Sequence, residues 1–218
     1  VKLPLELRLP TLPPAGPEAA ISLNSVGMCR VNNDLFSEIS LELGRERIAV
    51  IGPNGAGKTT LLDIMVGRRQ PTSGRSISQT EKIGTIAQGA TDWYSERCLL
   101  EHLVDQTNSP SLERAAELGV AHAFPLALAE RSLTSLSPGE RARAALICLF
   151  ARTPVVEVLV LDEPTYGLDF VGLAGLEATL RAWSGGLVVA SHDRDFLEAI
   201  GVTATIDLGT HKPHRRCQ

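Results

Sequence analysis

The sequence has no apolar run close to the ~20 residues of a membrane-spanning helix, and no signal peptide opens it. Its four cysteines stand far apart without a CxxC pair, which argues against a zinc site or a disulfide framework and favours reduced thiols. A net charge of -4 excludes a polycation made to coat nucleic acid. A globular cytoplasmic protein is therefore expected, and 44% apolar with 21% charged residues is ordinary for that class.

Several apolar segments predict the strands of an α/β protein. "RIAVIG" and "VEVLVLD" are continuous runs rich in β-branched residues, typical of central parallel strands that are covered on both faces. Shorter strands are predicted at residues 21–23, 39–43, 83–87, 187–190 and 204–208. The pattern becomes mainly helical over residues 95–150, with five leucines expected to face inward: Leu99, Leu103, Leu112, Leu118 and Leu146. The sequence therefore predicts an α/β core that carries a helical lobe.

The stretch "GPNGAGKTT" has the spacing of a phosphate-binding loop: Gly52, four residues, then Gly57, Lys58 and Thr59. A buried strand precedes it and an apolar helix follows, an arrangement that points backbone N–H groups and the positive end of the helix at an anion. Lys58 is expected to reach the β- and γ-phosphates, and the Thr59 hydroxyl to ligate Mg²⁺. The context favours this interpretation over a glycine-rich turn with an exposed lysine. The predicted nucleotide-binding residues of the loop are Gly52, Asn54, Gly55, Ala56, Gly57, Lys58, Thr59 and Thr60.

A second motif, "VLVLDEPT", ends an apolar strand in two carboxylates. Asp162 at the strand tip is placed to hold the magnesium shell, and Glu163 is a candidate general base for an attacking water. Acidic residues at strand ends are common, so the motif gains its weight from the phosphate loop that precedes it.

Four further segments resemble, in order, the landmarks of the ATP-binding cassette family: "IAQ" with Gln88, "LSPGERARAAL", "YGLD" ending at Asp169, and "SHDRDFL". The resemblance covers about residues 21–208. It implies that two cassettes clamp two ATP molecules head to tail and that one copy cannot complete its own site. A signature loop that opens a helix would place the Ser137 hydroxyl, the Gly139 N–H and the helix dipole against the γ-phosphate held by the second cassette.

The same resemblance implies roles for the remaining residues. Gln88 would sense Mg²⁺ and the attacking water, His192 would contact the γ-phosphate, and Asp169 would cross to the other cassette. The implied catalytic residues are Glu163, His192 and Gln88, and the implied Mg²⁺ ligands are Thr59, Gln88 and Asp162. The implied fold is a P-loop NTPase core with a mainly parallel sheet, an N-terminal antiparallel β-subdomain and a short helical lobe at about residues 92–150.

Three details resemble the ABC-F branch, whose members act on ribosomes. Glu140 in "GERAR" stands where transporters usually have glutamine, "SHDRDFL" is the form that this branch favours, and the lobe between Gln88 and Leu136 is short. The segment "GGLVVASHDRDFLEAIG" especially resembles the second cassette of bacterial ABC-F proteins. This implies a C-terminal half with residues 1–20 as linker or cut end and 211–218 as tail. Its partners would be a second cassette, from a missing half or an identical chain, and the ribosome with its RNA.

Several residues depart from the family pattern. Pro138 replaces the commonest signature glycine, which removes one N–H donor and stiffens the loop. Tyr166 and Gly167 replace the asparagine and histidine often found before the D-loop leucine. The residue at the usual adenine-stacking position is Arg30, which would either stack on a base or lie on the surface as a solvated charge. Two other functions stay open: the energising subunit of a membrane transporter, partnered by a transmembrane permease, and a regulatory cassette that binds ATP to hold a complex together.

Other features receive structural interpretations. The "HKPH" segment at residues 211–214 is expected to be a polar tail rather than a metal site. Trp93 and Tyr94 are expected to pack within the helical lobe, in preference to contacting a membrane partner. Residues 140–143 are expected to form a mostly exposed helix face apart from their signature role, and Cys148 to be a small core residue.

Overall fold

The computed structural model describes residues 7–14, 18–30, 33–107, 111–121 and 124–210. The chain forms two compact units, each of which is discontinuous in sequence. One includes Ile86–Val156 and Glu163–Ser184 and is here named the signature unit. The other includes Pro13–Thr85, Glu157–Asp162 and the chain from Gly185 onward and is named the phosphate-loop unit.

The regular elements are as follows, in chain order: β1 (Ile21–Arg30), β2 (Asn33–Leu43), β3 (Arg47–Ile51), α1 (Lys58–Met65), β4 (Ser73–Ser78), β5 (Ile83–Ile86), α2 (Leu99–Thr107), α3 (Leu112–Ala121), α4 (Leu126–Ala129), α5 (Pro138–Ala151), β6 (Val158–Asp162), α6 (Phe170–Ala182), β7 (Gly186–Ala190), α7 (Arg194–Ala199) and β8 (Ala204–Asp207). Short 3₁₀ segments lie at Thr80–Lys82, Gln88–Trp93 and Leu133–Ser135.

The phosphate-loop unit contains two sheets. One is antiparallel, in the order β2-β1-β4, and the other has five strands in the order β5-β6-β7-β3-β8. In the second sheet β3 runs parallel to both β7 and β8, and β6 runs parallel to β7. The predicted fold class, a P-loop core with a mainly parallel sheet and an antiparallel β-subdomain, is confirmed.

Apolar burial explains why these strands form where they do. Every residue of β6 and of β7 is buried, as expected for strands covered on both faces. Leu61, Ile64 and Met65 of α1 are fully buried in the same core as Phe36 of β2. Each such side chain contributes about 1.5–3 kcal/mol to folding, so the helix that follows the phosphate loop is held firmly by its apolar face.

The signature unit has a helical core of its own. Leu99 and Leu103 of α2 are completely buried together with Leu133 and Cys148, and burial raises the pKa of the Cys148 thiol. The Phe150 ring stacks on Trp183 with 5.3 Å between the ring centroids. Among the described residues no helix is long and apolar enough to cross a membrane.

Four expectations about local structure are wrong. β4 was not predicted, because "SGRSIS" has no apolar alternation and exists as a strand through its pairing with β1. Leu112 is 53% exposed rather than inward-facing, and the side chain of Leu118 lies outside the described residues. Cys98 and Cys148 are free, but Cys29 is disulfide-bonded, since spacing along the chain does not report pairing between distant segments.

The fourth error concerns the helix that follows the signature. Arg141 and Arg143 are only 2% and 7% exposed, so residues 140–143 do not form an exposed face. A long charged side chain is buried only where polar groups replace its water, and the sequence pattern did not show those groups.

Candidate nucleotide site

The strand register of the phosphate-loop unit brings three motifs to one edge of the parallel sheet. Val50 of β3 is paired with Ala190 of β7, and Ala190 is paired with Asp162 of β6. The phosphate loop therefore starts from the same row as Asp162 and as the segment that carries His192. Because the carboxyl ends of parallel strands form the usual ligand site of such sheets, this edge is the candidate nucleotide site.

The loop itself has a backbone that only glycine adopts easily. Gly57 immediately precedes α1 with φ of 100°, and a Cβ there would lie 3.1 Å from Cε1 of Phe36. Both the positive φ and the buried ring beneath the loop exclude a larger residue. Among the described residues no side chain caps the N-terminus of α1, so its first N–H groups are available to an anion.

Lys58 extends over this loop rather than into solvent. It is 9% exposed, and its Nζ donates to the carbonyl oxygen of Gly52 at 3.0 Å. The alternative interpretation, a glycine-rich turn with an exposed lysine, therefore does not describe the structure. A buried ammonium beside open backbone N–H groups forms a strongly positive cradle that suits phosphate.

Thr59 and Asp162 meet directly. The Thr59 hydroxyl donates to Oδ2 of Asp162 at 2.6 Å, and Asp162 is 7% exposed. A hydroxyl and a carboxylate at this distance present the oxygen donors that Mg²⁺ prefers, so these two residues fit the predicted magnesium site. Within the described part of the chain no group of three His, Cys, Asp or Glu side chains forms another metal site, and residues 211–214 lie outside it.

Two predicted nucleotide contacts are placed only by the backbone. His192 is exposed just after β7, at the sheet edge described above. Arg30 ends β1, where it pairs with Asn33, but its side chain lies outside the described residues. The stacking of Arg30 on adenine therefore stays a prediction.

In the signature unit, Gln88 opens a sharply kinked turn. Gly89 and Ala90 both have left-handed backbones, with φ of 64° and 52°. The Ala87 N–H donates to Oδ1 of Asp92 at 2.9 Å, which closes the turn on itself. A non-glycine residue such as Ala90 adopts this conformation only where its surroundings impose it.

Glu163 is also held in a left-handed conformation, with φ of 43°. It follows β6 directly, is half-buried, and its carbonyl oxygen accepts the Tyr166 N–H at 3.1 Å. A positive φ at glutamate costs of order 1 kcal/mol, and residues strained in this way cluster at active sites. The observation favours a functional role for the predicted base.

Ser137 is engaged locally as the N-cap of α5. Its Oγ accepts the Glu140 N–H at 3.3 Å, and Oε2 of Glu140 accepts both the Ser137 N–H at 2.9 Å and the Ser137 hydroxyl at 2.8 Å. The spacing of serine and glutamate in "SPGE" is the sequence signal of this capping box. Ser137 therefore has a local role besides the contact with the partner's phosphate that the family resemblance implies.

Two departures from the family pattern contact each other. Pro138 is the first residue of α5, a position where the missing N–H costs little. Gly167 has φ of 75°, and a Cβ there would lie 2.9 Å from Cβ of Pro138. The absence of a side chain at residue 167 thus makes room for the proline ring. In the same way, a Cβ on Gly139 would lie 2.9 Å from Cδ2 of Leu168.

Asp169 has a clear structural role. Its Oδ1 accepts the Gly172 N–H at 2.7 Å and so caps α6.

Tyr94, by contrast with Trp93, is 55% exposed, but its ring covers the guanidinium of Arg141 at 4.1 Å. Both aromatic residues therefore have contacts within the signature unit, since Trp93 packs on its apolar core.

These features define a P-loop nucleotide-binding protein, and comparison with known proteins narrows the class. A family model described as ABC transporter matches residues 36–166. The chain therefore belongs to the ABC transporter family.

Curated relatives include members of the F group. ABC transporter F family member 5 of Arabidopsis thaliana is 29% identical over an alignment of 217 residues that covers 90% of this chain and 28% of the relative. Ribosome protection protein VmlR of Bacillus subtilis is 35% identical over 153 residues, 70% of this chain and 27% of the relative. ABC transporter ATP-binding protein ARB1 of Saccharomyces cerevisiae is 36% identical over 158 residues, 71% and 26% of the two chains. The chain thus spans about a quarter of each relative's length.

Solved structures confirm the fold. The ATP-binding cassette MJ0796, in a dimeric post-hydrolysis state bound to ADP and Pi, aligns with a TM-score of 0.70 at 20% identity, covering 91% of this chain and 98% of that one. A second dimeric structure of the same bacterial cassette aligns with the same TM-score at 19% identity. The resemblance to a cassette ATPase domain with ABC-F relatives is confirmed, while the individual site residues rest on the geometry above.

Proposed function

We propose that this cassette binds Mg·ATP at its phosphate loop and hydrolyses it where the signature segment of a second cassette covers the γ-phosphate. The hydrogen bond of 2.6 Å between Thr59 and Asp162 carries the proposal, because it joins the phosphate loop to the carboxylate strand at one sheet edge. The buried ammonium of Lys58 supports it further, since its charge complements the β- and γ-phosphates.

In this function Thr59, Asp162 and Gln88 would hold Mg²⁺, and the ion when bound would supply positive charge against the phosphates. Glu163 accepts the proton of the attacking water, and His192 contacts the γ-phosphate. Gly52 and residues 54–60 wrap the phosphates, and the backbone N–H groups of the loop donate to them. Arg30 is the proposed stacking partner of the base.

The second cassette supplies Ser137, Gly139 and Asp169 to the nucleotide of the first, and receives the same in return. The dimeric structures of MJ0796 support a pair of cassettes as the working unit. The companion is either a second cassette of the same full-length protein or a second copy of this chain. The capping contacts of Ser137 and Asp169 mean that both side chains must share or exchange their local hydrogen bonds when the pair closes.

The cassette acts in a ribosome-associated ABC-F protein, as its C-terminal cassette. The relatives support this: one carries the F-family name and another is named a ribosome protection protein. Binding of ATP would then favour a closed, ribosome-bound form, and hydrolysis would release it.

Two measurements on the full-length protein test these proposals. Glu163→Gln should reduce kcat by roughly 100- to 10,000-fold while ATP affinity stays within about twofold, because a general base is lost and the phosphate cradle is intact. The variant should also sediment with ribosomes in an ATP-dependent manner. The double variant Glu163→Gln/Lys58→Ala is the matched control and should not. Unchanged turnover would overturn the role of Glu163, and absence of ribosome binding with ATP bound would overturn the ribosomal role.

One observation favours a second candidate, the regulatory cassette that binds ATP without fast turnover. The Ser137 hydroxyl is already bound to a carboxylate, and Pro138 lacks the N–H of the usual signature glycine. In that case the full-length wild-type protein would bind ATP and form the closed pair, yet its turnover would equal that of Glu163→Gln.

A further inference from the structure

Arg141 is the most unusual buried side chain of the signature unit. It is 2% exposed, and four of its five N–H groups donate to backbone carbonyl oxygens. Nε donates to Ala90 at 3.2 Å and Nη2 to Gly89 at 3.1 Å. Nη1 donates to Leu133 at 3.1 Å and to Leu136 at 2.8 Å. The guanidinium is thereby satisfied by main chain alone, which makes its burial tolerable.

These carbonyls come from two segments with different predicted roles. Gly89 and Ala90 form the kinked turn that follows Gln88. Leu133 begins the 3₁₀ segment that precedes the signature loop, and Leu136 lies directly before Ser137. Arg141 lies 51 residues from Ala90 along the chain but contacts both segments with one rigid planar group. The side chain therefore fixes the distance between the Gln88 turn and the signature loop.

The surroundings reinforce this link. The two left-handed residues of the turn direct their carbonyl oxygens to Arg141, and the Tyr94 ring lies over the guanidinium at 4.1 Å. A Cβ on Gly89 would be 3.4 Å from Cδ1 of Tyr166, so the turn is also backed by the segment that follows Glu163. A movement of the turn would break the hydrogen bonds of Gly89 and Ala90 with Arg141 unless Arg141 moved with it.

We propose that Arg141 is a positioning residue that joins the Gln88 turn to the Ser137 loop, so that the two segments move together. The consequence rests on the proposed function: Gln88 serves the nucleotide of its own cassette and Ser137 that of the partner, so a shift of Gln88 on ATP binding is transmitted to Ser137 through one guanidinium. Networks of hydrogen bonds carry coupling of this kind, and the four hydrogen bonds of Arg141 form such a network between the two segments.

Hydrogen exchange on the full-length protein without nucleotide tests the link independently of activity. Exchange in the turn is measured at two amides: the Ala90 N–H, which donates to the Ala87 carbonyl oxygen, and the Tyr94 N–H, which donates to that of Thr91. Exchange in the loop is measured at the Ser135 N–H, which donates to Ser132, and at the Leu136 N–H, which donates to Leu133. In Arg141→Met, exchange at both segments should rise together by roughly tenfold. The same rise is expected in Arg141→Lys, because the three N–H donors of lysine lie on one nitrogen and cannot replace the planar guanidinium.

Arg143→Met is the matched control. Arg143 lies on the same helix, is 7% exposed, and its guanidinium lies 5.5 Å from the Phe124 ring centroid. This variant removes a buried charge but should leave exchange at the four reporter amides unchanged. Should Arg141→Met fail to fold, Arg141→Lys decides the question. Any of three results would overturn the link: a rise in exchange at one segment only, wild-type exchange in Arg141→Lys, or the same rise in Arg143→Met.

Turnover supplies the second readout. Arg141→Lys should lower kcat by about tenfold and leave KM for ATP within about twofold, because it touches the relay and not the phosphate cradle. A kcat equal to wild type, with exchange raised at both segments, would overturn the transmission. If wild-type turnover instead equals that of Glu163→Gln, the proposed hydrolysis fails while the exchange result still decides the link.

Discussion

The phosphate-loop unit and the signature unit use their polar groups in opposite ways. In the first, polar groups converge on a place for a ligand: Lys58 lies over the loop and Thr59 meets Asp162 at the sheet edge. In the second, polar groups of the candidate contact surface are engaged within the unit. Ser137 is tied to Glu140, and Asp169 caps the helix that it precedes.

The difference teaches which half of the site is ready for nucleotide. Parallel strands and glycine geometry preorganise the phosphate loop, so binding there needs little rearrangement. In the proposed pair, the signature segment would exchange local hydrogen bonds for contacts with the nucleotide of the partner cassette. Closing of the pair, more than binding of ATP, is then the step on which the signature residues act.

Among the tests of this comparison between the two units, the largest effect is expected from Lys58→Ala. Loss of a charge-assisted contact to phosphate, worth about 2–3 kcal/mol, should weaken ATP binding by roughly 30- to 150-fold in calorimetry. Lys82→Ala is the control, since this lysine of the same unit pairs with Glu157 at 3.6 Å. Affinity weakened less than about threefold would mean that the cradle is not preorganised.

A second test compares one backbone conformation in the two units. Gly67 and Gly167 share φ of 75°, but a Cβ on Gly67 meets only Thr80 at 3.6 Å whereas one on Gly167 meets Pro138 at 2.9 Å. Gly67→Ala should lower the free energy of unfolding by about 1 kcal/mol, and Gly167→Ala by about 2–3 kcal/mol. Urea unfolding measures both.

The double variant Pro138→Gly/Gly167→Ala isolates the contact between the two departures from the family pattern. Its free energy of unfolding should exceed that of Gly167→Ala by the difference between the losses in Gly167→Ala and Gly67→Ala. The proline ring is gone, so only the cost of the positive φ remains. Equal losses in the single variants would show that the two residues do not compensate each other.

A smaller effect is expected at the capping box. Glu140→Gln keeps an acceptor for the Ser137 N–H but removes a negative charge beside the surface that we propose covers phosphate. In a Glu163→Gln background, ATP-dependent pairing should tighten roughly two- to fivefold, corresponding to about 0.5–1 kcal/mol. Analytical ultracentrifugation measures this, with the exposed Glu130→Gln as control. Weaker pairing would mean that the carboxylate orients Ser137 for the partner.

The smallest effect concerns His102, which packs beside the Trp93 ring in the signature unit. Burial lowers the pKa of His102 from 6.5, with the charge of Arg97 adding to the effect. Below about pH 6.5 the unfolded chain therefore binds this proton more readily, and stability falls as the pH decreases through that window. His102→Gln should flatten the dependence of Tm on pH between 7 and 5.5. An unaltered slope would contradict this role.

The sequence predicted locally encoded features better than features that depend on partners far away along the chain. The strands β3 and β6 and the loop after Val50 follow from apolar runs and glycine spacing, which are local. Arg141 was misjudged because its carbonyl partners come from loops up to 52 residues away, and no periodicity reports them. β4 was missed likewise, since its partner strand and not its composition makes it a strand.

The left-handed backbone of Glu163 places selection for activity against selection for folding. Glycine relieves such a conformation, so Glu163→Gly should raise the free energy of unfolding by about 0.5–1 kcal/mol as it abolishes turnover. A population screened only for folded protein would accordingly drift away from glutamate at this codon. The proposed requirement for nucleotide turnover would keep it there.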